Sequence, residues 1–68
     1  MQYQHHQIQA LRLPEVMQKT GISRAQIYRM AKLGTFPRPH HLTETGRISA
    51  WDAAEVDTWL ASKFEGGV

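Results

Sequence analysis

Between positions 24 and 32 the chain places Arg24, Ala25, Gln26, Tyr28, Arg29 and Lys32 within nine residues. Two guanidinium groups, an ammonium, an amide and a phenol suit a polyanion whose edges carry hydrogen-bonding groups. Arg29 has the fork geometry for guanine O6 and N7, and Gln26 has the donor–acceptor pair for adenine. Ala25 is small enough to allow close approach, and its methyl suits contact with a thymine methyl. Arg24, just after Ser23, is better placed for a phosphate, as are the N–H groups of a helix starting there. The Tyr28 hydroxyl is a second phosphate donor of the same kind. Arg47 follows a turn glycine, Gly46, and can reach the backbone or the adjacent minor groove. Arg38 stands between Pro37 and Pro39 on a stiff extended segment, either as a phosphate contact or as the surface of a connector. The competing reading of the whole set is a solvated helix face.

Other chemistries find little support. The chain has no cysteine, and its four histidines form two adjacent pairs, His5-His6 and His40-His41. Neighbouring residues in a strand point to opposite faces, so neither pair chelates well by itself. No metal site is expected. Ser23, Ser49 and Ser62 have no nucleophile–base pattern around them, and no glycine-rich phosphate loop is present. The expectation is a protein without catalytic residues, cofactor or small-molecule ligand.

The net charge is +2 over 68 residues, but it is unevenly spread. Arg12, Lys19, Arg24, Arg29, Lys32, Arg38 and Arg47 face only Glu15 and Glu44 across positions 12–47, an excess of five positive charges. From position 48 onward Lys63 meets Asp52, Glu55, Asp57 and Glu65, an excess of three negative charges. Such a split gives one pole that attracts a polyanion and one that does not. The absence of any long apolar run and of cysteine fits a soluble protein of the cytoplasm.

Three helices and a hairpin must position these groups. Pro14 suits a first helical position, with Glu15 complementing the helix dipole and Gly21 stopping the helix. Val16, Met17 and Thr20 give it a short inner face. Ser23 caps a second helix, with Gln26 available for a capping box, Ile22 and Ile27 for a hydrophobic staple, and Gly34 as the stop. Its buried stripe is Ile27, Met30 and Ala31. Only Gly21-Ile22-Ser23 separates the two helices, the spacing of a helix-turn-helix. Positions 40–43 and 47–50 can pair as strands around Glu44-Thr45-Gly46. Asp52 caps a third helix, with Glu55 completing the box and Trp51 and Val56 as the staple. Val56, Trp59, Leu60 and Phe64 form its apolar face, and Phe36, Trp51 and Trp59 are expected in the core.

The predicted fold class is therefore mainly α with a small β-hairpin: a winged helix-turn-helix. The folded unit spans residues 11–64, between a flexible Gln/His-rich tail at 1–10 and a frayed C-terminus at 65–68. With Ile27 at the centre of the buried face, Ala25, Arg29 and Lys32 point the opposite way, flanked by Gln26 and Tyr28. The candidate DNA contacts are Ser23, Arg24, Ala25, Gln26, Tyr28, Arg29, Lys32, Arg38 and Arg47.

The run from Arg12 to Lys63 resembles the AlpA family of phage and prophage DNA-binding regulators, within a wider group of MerR-like winged-helix proteins that includes small phage excisionases. The resemblance is carried by Arg12-Leu13 with Val16, Thr20-Gly21-Ile22-Ser23-Arg24 with Tyr28-Arg29, Gly34, Phe36-Pro37, Gly46-Arg47, Ala50-Trp51, Glu55-Val56 and Trp59-Leu60. It implies that the second helix enters the major groove of double-stranded DNA and that the hairpin is a wing against it. It also implies control of a mobile element, by switching transcription or by directing an integrase toward excision. An integrase and further DNA-bound copies of the chain are the partners this suggests. The wing loop departs from the family's usual Lys/Arg-rich pattern, reading Thr43-Glu44-Thr45. A protein-interaction module that docks on a regulator and inhibits it is the alternative from a different class.

Overall fold

The computed structural model describes residues 8–66. The proposed tail at 1–10 lies outside these residues except for its last three, and so do positions 67–68. The elements run β1 (Ala10–Leu11), α1 (Leu13–Thr20), α2 (Arg24–Leu33), β2 (His40–His41), β3 (Ser49–Asp52) and α3 (Ala53–Gly66). Three helices with a small antiparallel sheet give a winged helix-turn-helix.

α1 begins one residue before the proline. Arg12 caps it through its backbone: its N–H donates to the Glu15 carboxylate at 2.8 Å, and its carbonyl accepts from the Glu15 and Val16 N–H groups. Gly21 ends the helix at φ 74, where its missing Cβ removes the usual cost of a left-handed residue. The turn is then held by Thr20, whose hydroxyl donates to the Val16 carbonyl and accepts from the Ile22 N–H. Ser23 caps α2 as its residue type requires, its hydroxyl oxygen accepting from the Gln26 N–H at 3.3 Å.

The sheet differs from the expected hairpin in two ways. β2 contributes only two residues, pairing His40 with Ala50 and His41 with Ser49. β3 gains a second neighbour, β1, with Ala10 opposite Asp52 and Leu11 opposite Trp51. The strand order is β1-β3-β2. Ala10 thus belongs to the sheet, and the Gln9 carbonyl accepts from the Ala53 N–H. A two-residue strand has no periodicity to read, so β1 is invisible until β3 is there to receive it. The same pairing draws Trp51 and Asp52 into β3, where Asp52 still caps α3 by accepting from the Ala54 N–H at 3.0 Å. Glu55 does not close a capping box; its carboxylate sits 3.1 Å from His40 Nε2 instead.

Leu11, Val16, Ile27, Phe36, Trp51, Ala53 and Val56 form one core cluster, with Leu13, Met17, Ile22, Met30, Trp59 and Leu60 packed against it. Val16, Ile27, Trp51 and Val56 are the largest fully buried side chains, and burying such groups contributes about 1.5–3 kcal/mol each. Trp59 is only half-buried, one edge against Phe36 at 4.8 Å between ring centres. Phe64 is 80% exposed, contrary to the apolar face read for the third helix. α3 has 14 residues, and positions 61–65 are all exposed, so its last turn packs on none of the described core. Lys19 on α1 and Asp57 on α3 meet at 2.8 Å on the surface, a contact that adds at most about 1 kcal/mol. No helix among the described residues is long and apolar enough to cross a membrane.

Candidate nucleic-acid interface

Packing decides which face of α2 remains available. Ile27 and Ala31 are buried and Met30 is half-buried, which turns Arg24, Ala25, Gln26, Tyr28, Arg29 and Lys32 outward; all six are exposed. A helical wheel needs only one buried reference residue to give this result, and Ile27 serves. Ser23 is exposed as well but spends its hydroxyl on the cap. The first turn of α2 contains no acid.

Tyr28 is 45% exposed and bridges two environments. Its ring centre lies 6.2 Å from that of buried Trp51, tilted by 48°. The Arg24 guanidinium stands 5.9 Å from the same ring centre. Arg24 and Tyr28 are four residues apart, one turn of helix, so this contact is built into α2. An aromatic face beneath a guanidinium holds the cation without neutralising it.

The wing is shaped by its turn. The Gly46 N–H donates to the Thr43 carbonyl at 3.0 Å with Gly46 at φ 73. A Cβ on Gly46 would lie 2.9 Å from His41 Nδ1, so both the backbone angle and the space call for glycine. The Thr45 hydroxyl oxygen accepts from the Arg47 N–H at 3.3 Å and pairs with the Thr43 hydroxyl at 3.2 Å. Glu44 is exposed at the tip.

Arg47 from the wing, Arg24 from α2 and Arg12 from the start of α1 line one cleft of about 350 Å³, floored by Met17, Tyr28 and Trp51. Arg12 was absent from the sequence-derived contacts. At an element boundary it has no helical face to belong to, and only the packing of α1 on α2 carries it beside Arg24. Its position just before a Pro-containing helix start was the one available signal.

Arg38 is set apart from this group. Its Nε donates to the Ala31 carbonyl at 3.1 Å, closing the C-terminal end of α2. The connector after α2 is fixed from two further points, the Trp51 indole donating to the Pro37 carbonyl and the Trp59 indole to the Thr35 carbonyl, each at 2.8 Å. Arg38 thus ties the connector to the C-terminal end of α2 while remaining exposed. His40 turns toward α3 and Glu55, and His41 toward the wing turn, so the pair diverges as adjacent strand residues do.

A family model described as prophage CP4-57 regulatory protein (AlpA) matches residues 9–64. A protein of Enterobacteria phage P4, uncharacterized protein ORF88, is 41% identical over 56 residues, covering 82% of this chain. The DNA-binding transcriptional activator AlpA of Escherichia coli K12 is 37% identical over 62 residues, again covering 82% of this chain. The matched region spans 61% of the phage P4 protein's length and 86% of the E. coli protein's. No solved structure matches. The chain belongs to the AlpA family of prophage regulatory proteins.

Proposed function

We propose that this protein is a sequence-specific double-stranded DNA-binding regulator of a prophage or integrative element. One observation carries the reading: α2 turns six consecutive-turn residues, Arg24, Ala25, Gln26, Tyr28, Arg29 and Lys32, outward beside a wing that brings Arg47 to the same cleft. α2 inserts in the major groove, where Arg29 and Gln26 read base edges and Ala25 permits close approach. Arg24, Tyr28, Lys32 and Arg47 bind phosphates and set the register, with Ser23 shaping the helix end that faces the backbone. Arg38 contributes by holding the C-terminal end of α2 in place. The similarity to an E. coli transcriptional activator supports an action on transcription. The protein works where that DNA lies, in the bacterial cytoplasm or nucleoid, with no chemistry of its own.

A single recognition helix of ten residues reads few base pairs, and regulation against a genome of competing sites needs more contacts. Several copies therefore bind adjacent sites, and a duplex bent by such an array suits excision with an integrase as well as promoter control. Gel-shift titration with random-sequence competitor tests the first claim: one selected duplex should resist competition and binding should weaken steeply with salt. Loss of the shift to any competitor at equal mass would overturn it. Footprinting on the selected site should show several protected segments filling together. An excision reaction with the cognate integrase, with and without this protein, separates the recombination role from the transcriptional one.

A further inference from the structure

We propose that the cleft between α1, α2 and the wing seats one phosphodiester of the DNA backbone, with Arg12 as its third ligand beside Arg24 and Arg47. The inference rests on the DNA-binding reading and names a site within it. Three arginines and no acidic residue line the cleft. The acids nearest in sequence are Glu15, which accepts from the Arg12 N–H, and Glu44, exposed at the wing tip; neither lines the cleft. Among the described residues the only ion pairs are Lys19–Asp57 and His40–Glu55, so no acid counters any of the three arginines. Three arginines from three separate elements around one cleft of about 350 Å³ give it a positive potential that favours an anion.

The shape selects the kind of anion. The Tyr28 ring offers an aromatic face in the cleft, and Arg24 already stands over it. Arginine rather than lysine at all three positions suits the tetrahedral oxygens of a phosphate, which accept paired N–H bonds. The α2 N-terminus, with no acid in its first turn, opens beside Arg24 and adds its partial positive charge. A cleft flanked by the recognition helix and the wing faces the strand between the groove that α2 enters and the groove the wing lies against. The phosphate chemistry thus points to the duplex backbone.

Arg12→Ala is the decisive variant, because Arg12 caps α1 through backbone atoms and its side chain is exposed. Its thermal melt should match the wild type. On a random-sequence 20-base-pair duplex and on a duplex selected by the wild type, Arg12→Ala should weaken binding by the same factor. The slope of log affinity against log salt should fall, by at most about 0.9. Arg12→Lys should keep the slope and lose part of the affinity. Scanning single uncharged methylphosphonates along the selected duplex should reveal one position that weakens the wild type more than it weakens Arg12→Ala, which keeps Arg24 and Arg47. A folded Arg12→Ala with the wild-type slope would overturn the seat and leave DNA binding standing. Failure of the wild type to bind any duplex would overturn the DNA reading and the seat with it. Inorganic phosphate alone is the control for the other source of the same chemistry. Saturable, Arg12-dependent amide shifts with phosphate, combined with an unchanged DNA slope, would assign the cleft to a small anion and overturn the proposal.

Discussion

The guanidinium of Arg24 stands 5.9 Å from the centre of the Tyr28 ring, one helical turn along α2. The ring therefore acts as a platform whose position is fixed in turn by buried Trp51. Tyr28→Phe keeps the platform and should lose only the hydroxyl's phosphate bond, about 0.5–1.5 kcal/mol. Tyr28→Ala should lose about 0.5–1 kcal/mol more, the worth of an exposed cation–π contact. Fluorescence anisotropy on one duplex measures both. Equal losses in the two variants would assign the effect to the hydroxyl, as a phosphate donor.

Arg29 lies opposite the Ile27–Ala31 stripe and is exposed. Arg29→Ala should weaken binding to a selected duplex by about 1–3 kcal/mol, the usual value of a bidentate base contact. Binding to random duplex should change much less. Equal losses on both would mean Arg29 touches only the backbone.

Arg38 is expected to act on stability and not on DNA. Removing its bond to the Ala31 carbonyl should cost about 1–2 kcal/mol. In a domain of this size that lowers the melting temperature by about 4–8 °C per kcal/mol. DNA affinity, measured well below the melt, should stay at the wild-type value.

Gly46→Ala combines a left-handed backbone with a Cβ 2.9 Å from the His41 ring. A cost of about 1–3 kcal/mol is expected, confined to the wing. Amide exchange should accelerate around positions 41–48 while the α2 amides keep their protection. A uniform loss of protection would show that wing and core unfold as one unit.

The two tryptophans should separate cleanly. Trp51 is buried at the centre of the core and its indole donates to the Pro37 carbonyl. Trp51→Ala should cost about 3–5 kcal/mol and leave little folded protein. Trp59 is half-buried, so Trp59→Ala should keep a cooperative melt at lower temperature, losing its edge contact with Phe36 and the bond to the Thr35 carbonyl. Circular dichroism melts of both variants give the comparison.

The helix-turn-helix was legible in the chain because its signals are local. Ser23, Gly21 and Gly34 fix helix ends through bonds and φ angles within four residues, and Ile27 with Ala31 orients α2 by simple periodicity. The outward face carrying Arg29 and Lys32 follows from that orientation alone. The charge split follows from counting.

Long-range contacts settled the rest. β1 exists because β3 offers it a partner some forty residues away, a pairing that two residues cannot announce. Glu55 left the expected capping box because folding brought His40 within 3.1 Å. Phe64 matched the apolar spacing of α3, but the core packing stops at Trp59 and Leu60 and leaves it exposed. Arg38, between two prolines, is brought by the fold to the Ala31 carbonyl, which accepts from its Nε as well as from the Gly34 N–H. Arg12, Arg24 and Arg47 share a cleft although they span 36 positions of the sequence. Caps and periodicity are properties of a few neighbouring residues, whereas a shared cleft depends on how α1, α2 and the wing pack, and that is set by the common core of Val16, Ile27 and Trp51.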